Sequence, residues 1–353
     1  MNYFYRQLRV SLFVGLVCAA ATAWAGKATR TLDLYWVDSE GGGSTLIVTP
    51  DGESVLIDAG NPGARDAGRI FAAAKSAGLT RIDHFLLTHF HFDHFGGLPE
   101  LAATIPIGTI YDKGIPEGDA DGRKGSSFPL LIKPYRELSV TDRVTLKPGM
   151  VIPLRNLKDG PKLELTCLGA NQLFVTPAPG ATPNALLQEV AAKPVDTSDN
   201  ANSAVFVLQF GGFRFFDGGD LSWNVEQKLV SPINLVGTVD VYQVQHHGLD
   251  QSNHPNLVRS LAPTVAVMNN GPKKGNGPGT FATLASIPSL KAVYQSHRTV
   301  LSGAGNTDAD AIANHDEQCA GNIIALSVAP DAKLYELSIP SRNHRRSFET
   351  KVP

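Results

Sequence analysis

Apolar residues along the chain alternate in short bursts and rarely recur at a long helical period. Thr31 to Val37 and Ser44 to Thr49 read as two strands joined by the turn Gly41-Gly42-Gly43. Asp51-Gly52 marks a tight turn, and Ser54 to Asp58 follows as a third strand ending in Asp58-Ala59-Gly60. The period then changes. Ile70, Ala73 and Ala77 share one face of a helix predicted over Asp66 to Ala77, with Gly78 as its stop. Ile82 to Leu87 is a short apolar strand that leads into a loop rich in histidine. Leu163 to Leu168, Ala204 to Phe210, Phe213 to Phe216, Val239 to Val244 and Thr264 to Met268 have the length and β-branched or aromatic content of strands. Helices are predicted over Asn224 to Val230 and Asn256 to Leu261, and Ile323 to Val328 with Leu334 to Ile339 form a closing strand pair.

Strands in runs near each end, helices between them and no internal repeat predict an α/β body of packed layers. Composition does not break sharply after residue 25, so residues 26–353 read as one domain, with loop insertions near 113–150 and 171–202. Such loops, laid over one face of a sheet, commonly carry substrate contacts. At 353 residues, 42% hydrophobic and 18% charged, the chain can bury a large core. A formal net charge of -2 provides no basic field that would draw nucleic acid, so no obligatory nucleic-acid partner is expected.

Residues 1–25 differ from the rest. Arg6 and Arg9 precede the apolar stretch Val10 to Ala23, and Ala23-Trp24-Ala25 is a small-x-small cleavage site. This pattern predicts a signal peptide, a secreted or periplasmic product and no stable membrane anchor after cleavage. Its loss would remove Cys18, leaving Cys167 and Cys319 either to pair or to remain free, Cys167 as a buried thiol.

The strongest chemical signal is Thr88-His89-Phe90-His91-Phe92-Asp93-His94, which places three of the chain's ten histidines and one aspartate within six positions. Imidazole nitrogen and carboxylate oxygen are the usual ligands of zinc and related divalent ions. In an extended loop His89 and His91 point the same way, and Asp93 with His94 can serve a second centre beside the first. The spacing therefore predicts two metal ions.

This motif, followed by Gly96-Gly97 and preceded by Leu56-Ile57-Asp58-Ala59-Gly60, resembles the metallo-β-lactamase superfamily over roughly Leu32 to Ser296. The resemblance implies an αββα sandwich with the metals at the sheet edge. It also implies a bridging aspartate in a Gly-Asp turn, matched by Phe216-Asp217-Gly218-Gly219-Asp220; Asp220 is the candidate and Asp217 the competitor. A last histidine ligand is implied within Gln245-His246-His247-Gly248. His247 aligns with it, leaving His246 beside the substrate as a hydrogen-bond donor or catalytic acid, although the reverse assignment stays open.

No histidine lies between His94 and His246, so the family's usual third histidine on the first metal is missing, and Asn200-Ala201-Asn202-Ser203 stands in its place. That departure resembles the branch holding the extracellular hydrolase domain of ComEC-type DNA-uptake proteins and the phosphorylcholine esterases, and argues against a glyoxalase or a true β-lactamase. Asp38 and Asp58 read either as turn residues or as hydrogen-bonding supports of the ligand loop. Asn269 and Asn270 are expected to line the pocket, and His254 and His297 to lie on the surface.

The site residues expected from the sequence are therefore His89, His91, Asp93, His94, Asp220 and His247 as metal ligands, with Asp93 and His246 as catalytic groups. The implied cofactors are two divalent ions, zinc before manganese, which lower the pKa of a shared water and supply hydroxide at neutral pH. The expected activity is hydrolysis of a phosphodiester or phosphoester in a small molecule or envelope polymer. The alternatives are hydrolysis of a lactone, amide or other acyl substrate, and metal-dependent binding without catalysis.

Overall fold

The computed structural model describes residues 26–351; the predicted signal peptide and Cys18 lie outside the described residues. Two nine-stranded sheets pack face to face. In the first, the closing segments Ile324–Val328, Leu334–Ile339 and His344–Glu349 join Leu32–Trp36, Thr45–Val48 and Ser54–Ile57 in antiparallel order. Ile82–Leu86, Ile107–Asp112 and Asp142–Thr145 then continue it in parallel. The second sheet is built the same way. Met150–Ile152, Leu163–Ala170, Val205–Phe210 and Phe213–Asp217 are antiparallel, with Leu173–Phe174 also antiparallel to Leu163–Ala170 off this path, and Val241–Gln243, Val265–Met268, Ala292–His297 and Ile312–Asn314 extend it in parallel.

Side-chain alternation explains the layering. Leu32, Leu34 and Trp36 face the space between the sheets, where they meet Phe206, Leu208 and Phe210 of the other sheet. Their neighbours Tyr35 and Val37 turn outward onto Ile70, Ala73 and Ala74 of the helix Ala64–Ser76. Val205 and Val207 likewise turn outward to a third core with Leu257, Val258 and Leu261 of the helix Pro255–Leu261. Helices therefore cover both outer faces, and the architecture is the αββα sandwich.

Several strands have no clear sequence signature. Ile312–Asn314 and Met150–Ile152 are three residues each, too short to show a period, and the edge strand His344–Glu349 is largely exposed and charged. Charge on an edge strand blocks pairing with other chains and makes the segment read as loop. Span 113–150 contains the short helices Phe128–Leu131 and Lys133–Arg136. Span 171–202 is mostly irregular and ends in the 3-10 turn Asp199–Asn202.

Cys167 and Cys319 do not pair: both are free thiols. Cys167 is buried between the sheets, whereas Cys319 packs beside Arg69 on the periphery. The placement of His254 and His297 also differs from expectation, because both are fully buried. Each ends up inside because its fold position supplies a partner. His254 Nδ1 accepts from the Asn256 N–H at the start of a helix, and His297, at the end of a parallel strand, meets Asp38 at 2.7 Å. Among the described residues no helix is long and apolar enough to cross a membrane.

Candidate metal centre

In parallel sheets, ligand-bearing loops collect at the carboxyl ends of the strands. Here the parallel halves of both sheets end at one edge. Asp58 follows Ser54–Ile57, the histidine loop follows Ile82–Leu86, Asp220 follows Phe213–Asp217, His246 and His247 follow Val241–Gln243, and Asn269 follows Val265–Met268. The chain segments are held together there by backbone bonds. Ala204 N–H donates to Thr88 C=O at 2.8 Å, and Gly43 N–H to Asp93 C=O at 2.9 Å.

One oxygen, Asp220 Oδ2, lies at the centre. The Nε2 atoms of His94 and His247 lie 3.3 Å from it, that of His246 3.6 Å and that of His89 3.9 Å. Asp93 Oδ2 completes the group at 3.4 Å from His247 Nε2 and 3.6 Å from His94 Nε2. Donor atoms of Asp93, His94, Asp220 and His247 all fall within 4.8 Å of one another. The Nε2 atoms of His89, His94 and His247 are buried and make no hydrogen bond of proper geometry among the described residues. Three buried, unpartnered imidazole nitrogens facing two carboxylates are costly in a metal-free interior, yet they are the donor set of a divalent cation site. The residues present fit the implied metals.

The opposite edges of the rings are fixed. His94 Nδ1 meets Asp58 Oδ2 at 2.6 Å, and Asp58 also accepts from Thr88 N–H and Thr88 Oγ1–H at 2.9 and 2.8 Å. His247 Nδ1 faces the Asn269 carbonyl at 3.3 Å. Each contact keeps a proton on Nδ1, so that Nε2 is the atom at which a cation would bind, in the case of His94 by displacing the second proton. Asp58→Ala is expected to weaken metal binding by about 10- to 100-fold, read by chelator competition; unchanged affinity would mean that Asp58 does not orient His94.

Electrostatics follow from burial and proximity. Burial disfavours charge on His94, but Asp220, Asp58 and Asp93 outweigh it and hold its pKa well above the usual range. His89 lacks that surplus of anions, so burial holds its pKa well below normal. Burial raises the pKa of Asp220 and Asp93, yet the surrounding histidines reverse the effect and both stay ionised. Asp217, the competing carboxylate, is not in the cluster. It accepts from Gly219 N–H at 2.9 Å, shaping the turn that presents Asp220, and burial pushes its pKa up to about 7.

His91 is placed differently from the other loop histidines. It immediately precedes the short helix Phe92–Phe95, its ring stands 4.6 Å from that of His89, and its Nε2 meets Asp121 Oδ1 at 2.8 Å. Turning the chain into a helix at Phe92 carries Asp93 and His94 inward and leaves His91 at the rim.

Lys274, Glu226 and Asp199 carry no local sequence signal, because their partners are distant in the chain. Lys274 Nζ bonds Asp93 Oδ2. Glu226 is fully buried beneath the His246-His247 turn, where it accepts from Gln245 Nε2 and the Asn253 and His254 N–H groups at 2.8, 2.8 and 2.6 Å. That turn is strained, since His246 and His247 both have positive φ, 54° and 56°. Asp199 accepts from Phe90 N–H at 2.7 Å and pairs with Lys113 at 2.6 Å, bracing the histidine loop from behind. Replacing Lys274 by Met removes a cation from beside a ligand carboxylate. Its side chain is 37% exposed and can swing away. The expected gain in metal affinity is therefore about tenfold, below the ~4 kcal/mol between bare charges 4 Å apart near a surface. Equal or weaker binding by Lys274→Met would contradict that role.

A sequence model of the metallo-beta-lactamase superfamily matches residues 38–186, a span that includes the histidine loop. Over 61 residues the chain is 43% identical to a hydroxyacylglutathione hydrolase of Stenotrophomonas maltophilia (strain R551-3), a match covering 17% of this chain and 21% of that relative. The chain thus matches about a fifth of that curated protein's length. Among solved structures it is similar to the metallo-beta-lactamase fold protein YhfI from Bacillus subtilis, with 14% identity, a TM-score of 0.41, and coverage of 74% of this chain and 96% of that one. It is also similar to CmlA, a diiron beta-hydroxylase from Streptomyces venezuelae, with 13% identity and a TM-score of 0.41. That match covers 74% of this chain and 52% of CmlA, about half its length.

Proposed function

We propose that the protein is a secreted metal-dependent hydrolase that holds two divalent cations, zinc before manganese, and acts on a phosphodiester or phosphoester. The observation that carries this reading is the convergence of His89, His94, His246 and His247 on the single oxygen Asp220 Oδ2, with Asp93 beside it. When bound, such cations supply an activated water at neutral pH and neutralise charge on the substrate.

The chain's own residues bind and orient. Asp220 and Asp93 hold the ligand cluster together, while Asp58 and the Asn269 carbonyl set the tautomers of His94 and His247. His246 stands between this cluster and an adjoining cleft of about 420 Å³ that it lines with Asn200, Lys193 and Trp223. Its Nδ1 faces Ser252 Oγ at 3.2 Å and its Nε2 faces Asn200 Nδ2 at 3.4 Å, a position suited to hydrogen-bonding a substrate oxygen or leaving group. Lys193 Nζ lies 3.5 Å from the Trp223 ring centroid, so the cleft offers a cation and an aromatic shelf. That pairing favours an anionic substrate with a flat or apolar substituent.

Asn200 stands in place of a third histidine, with its Oδ1 buried and unpartnered among the described residues, and it supports the ComEC-type branch. The signal pattern of residues 1–25 supports a secreted or periplasmic location. A second reading, acyl-ester or thioester hydrolysis, draws on the segment shared with hydroxyacylglutathione hydrolase.

The test is elemental analysis of the purified protein alongside turnover of bis(p-nitrophenyl) phosphate and of an acyl ester. Metal with phosphodiester turnover supports the first reading, and faster acyl turnover the second. Metal with no turnover of either would replace both with a metal-dependent binding module.

A further inference from the structure

We propose that Asp38, His297 and Cys319 form a separate metal site for one zinc-type divalent cation. The three come from distant parts of the chain: the loop after Leu32–Trp36, the end of Ala292–His297 and the segment before Ile324–Val328. Asp38 and His297 are fully enclosed, whereas Cys319 is partly exposed. Their donor atoms lie within 4.8 Å of one another. His297 Nε2 is 2.7 Å from Asp38 Oδ1, Cys319 Sγ is 3.3 Å from Asp38 Oδ2, and Sγ is 3.9 Å from His297 Nε2. Zinc bonds of about 2.0 Å to nitrogen and about 2.3 Å to sulfur set tetrahedral donors about 3.5 Å apart. The three separations, 2.7, 3.3 and 3.9 Å, bracket that spacing.

Charge supports the assignment. Arg69 Nη1 bonds Asp38 at 2.9 Å but shares its charge with Glu40 at 3.2 Å; Arg65 bonds Glu40 at 2.7 Å and Asp66 at 2.6 Å. Three carboxylates thus face two guanidinium groups. Ionising the Cys319 thiol brings the surplus to two negative charges, which a divalent cation neutralises as the thiol proton leaves to solvent. Thiolate with imidazole selects a zinc-like ion over magnesium or calcium. None of these residues belongs to the histidine centre, and the mechanical link between the two sites is indirect. The loop starting at Asp38 continues to Gly42, whose carbonyl accepts from Asn269 Nδ2 at 3.1 Å, and to Gly43, which bonds Asp93.

Cobalt(II) titration of the full chain separates this site from the histidine centre, which contains no sulfur. Wild-type protein is expected to develop thiolate-to-cobalt absorption in the near ultraviolet whose final amplitude corresponds to one cobalt per chain, in addition to the cobalt held by the histidine centre. Cys319→Ser should lose the band and one equivalent of bound metal, while Cys167→Ala retains both. A second measurement needs no variant: saturating zinc should protect Cys319 from alkylation by iodoacetamide, mapped by peptide mass. Absence of the wild-type band, its survival in Cys319→Ser, or alkylation of Cys319 at the same rate with and without zinc would overturn the site.

Discussion

Asp220→Ala should hydrolyse bis(p-nitrophenyl) phosphate at least about a thousandfold more slowly than the wild type, the upper end of what one electrostatic group contributes to a preorganised site. The reason is geometric. Four imidazole nitrogens lie 3.3 to 3.9 Å from Asp220 Oδ2, so one truncation removes the anion facing all of them. Without it, buried His94 and His247 keep only Asp93 as an anion beside their Nε2 atoms, and the site holds a cation less tightly. The fold itself should persist, because the turn presenting Asp220 is shaped by Asp217 and Gly219. Activity and bound metal are read on the same preparation, with circular dichroism as the control for folding. Wild-type rates in Asp220→Ala would remove Asp220 from the site.

Asp93→Asn is the second large effect, and it separates charge from shape. The amide has nearly the volume of the carboxylate but no negative charge. It also leaves Lys274 beside the ligand histidines with no anion to offset it. Loss of activity of about a hundredfold or more is expected, with metal affinity falling in parallel. Combining it with Lys274→Met should restore part of the affinity, since the two groups are in contact and their effects are not additive. A double variant that binds metal no better than Asp93→Asn would show that Lys274 plays no electrostatic part there.

Much of this was legible in the sequence where information is local. The helix over Ala64–Ser76 shows its buried face through Ile70 and Ala73, and the first three strands show theirs through alternation broken by Gly-rich and Asp-Gly turns. The histidine loop is legible because its residues are neighbours in the chain. His91 does stand beside His89, with ring centroids 4.6 Å apart, as the alternation of the loop predicts; its further contact with Asp121, thirty residues away, is made only by folding. Cys167 and Cys319 are both free because one is sealed between the sheets and the other sits at the periphery, a separation that residue spacing cannot reveal. His254 and His297 look like isolated surface residues until the partners Asn256, Asp38 and Cys319 are brought to them by strand and helix ends. Glu226 and Lys274 act only through contacts made by folding, and nothing in their sequence neighbourhood marks them.

Asp220 and the histidine segments are expected to share a cation, and anomalous diffraction at a metal absorption edge from metal-loaded crystals locates that cation without reference to activity. The expected result is a peak within bonding distance of Asp220 Oδ2 and of the Nε2 atoms of His94 and His247. A fully loaded crystal with no anomalous peak beside Asp220 would contradict it.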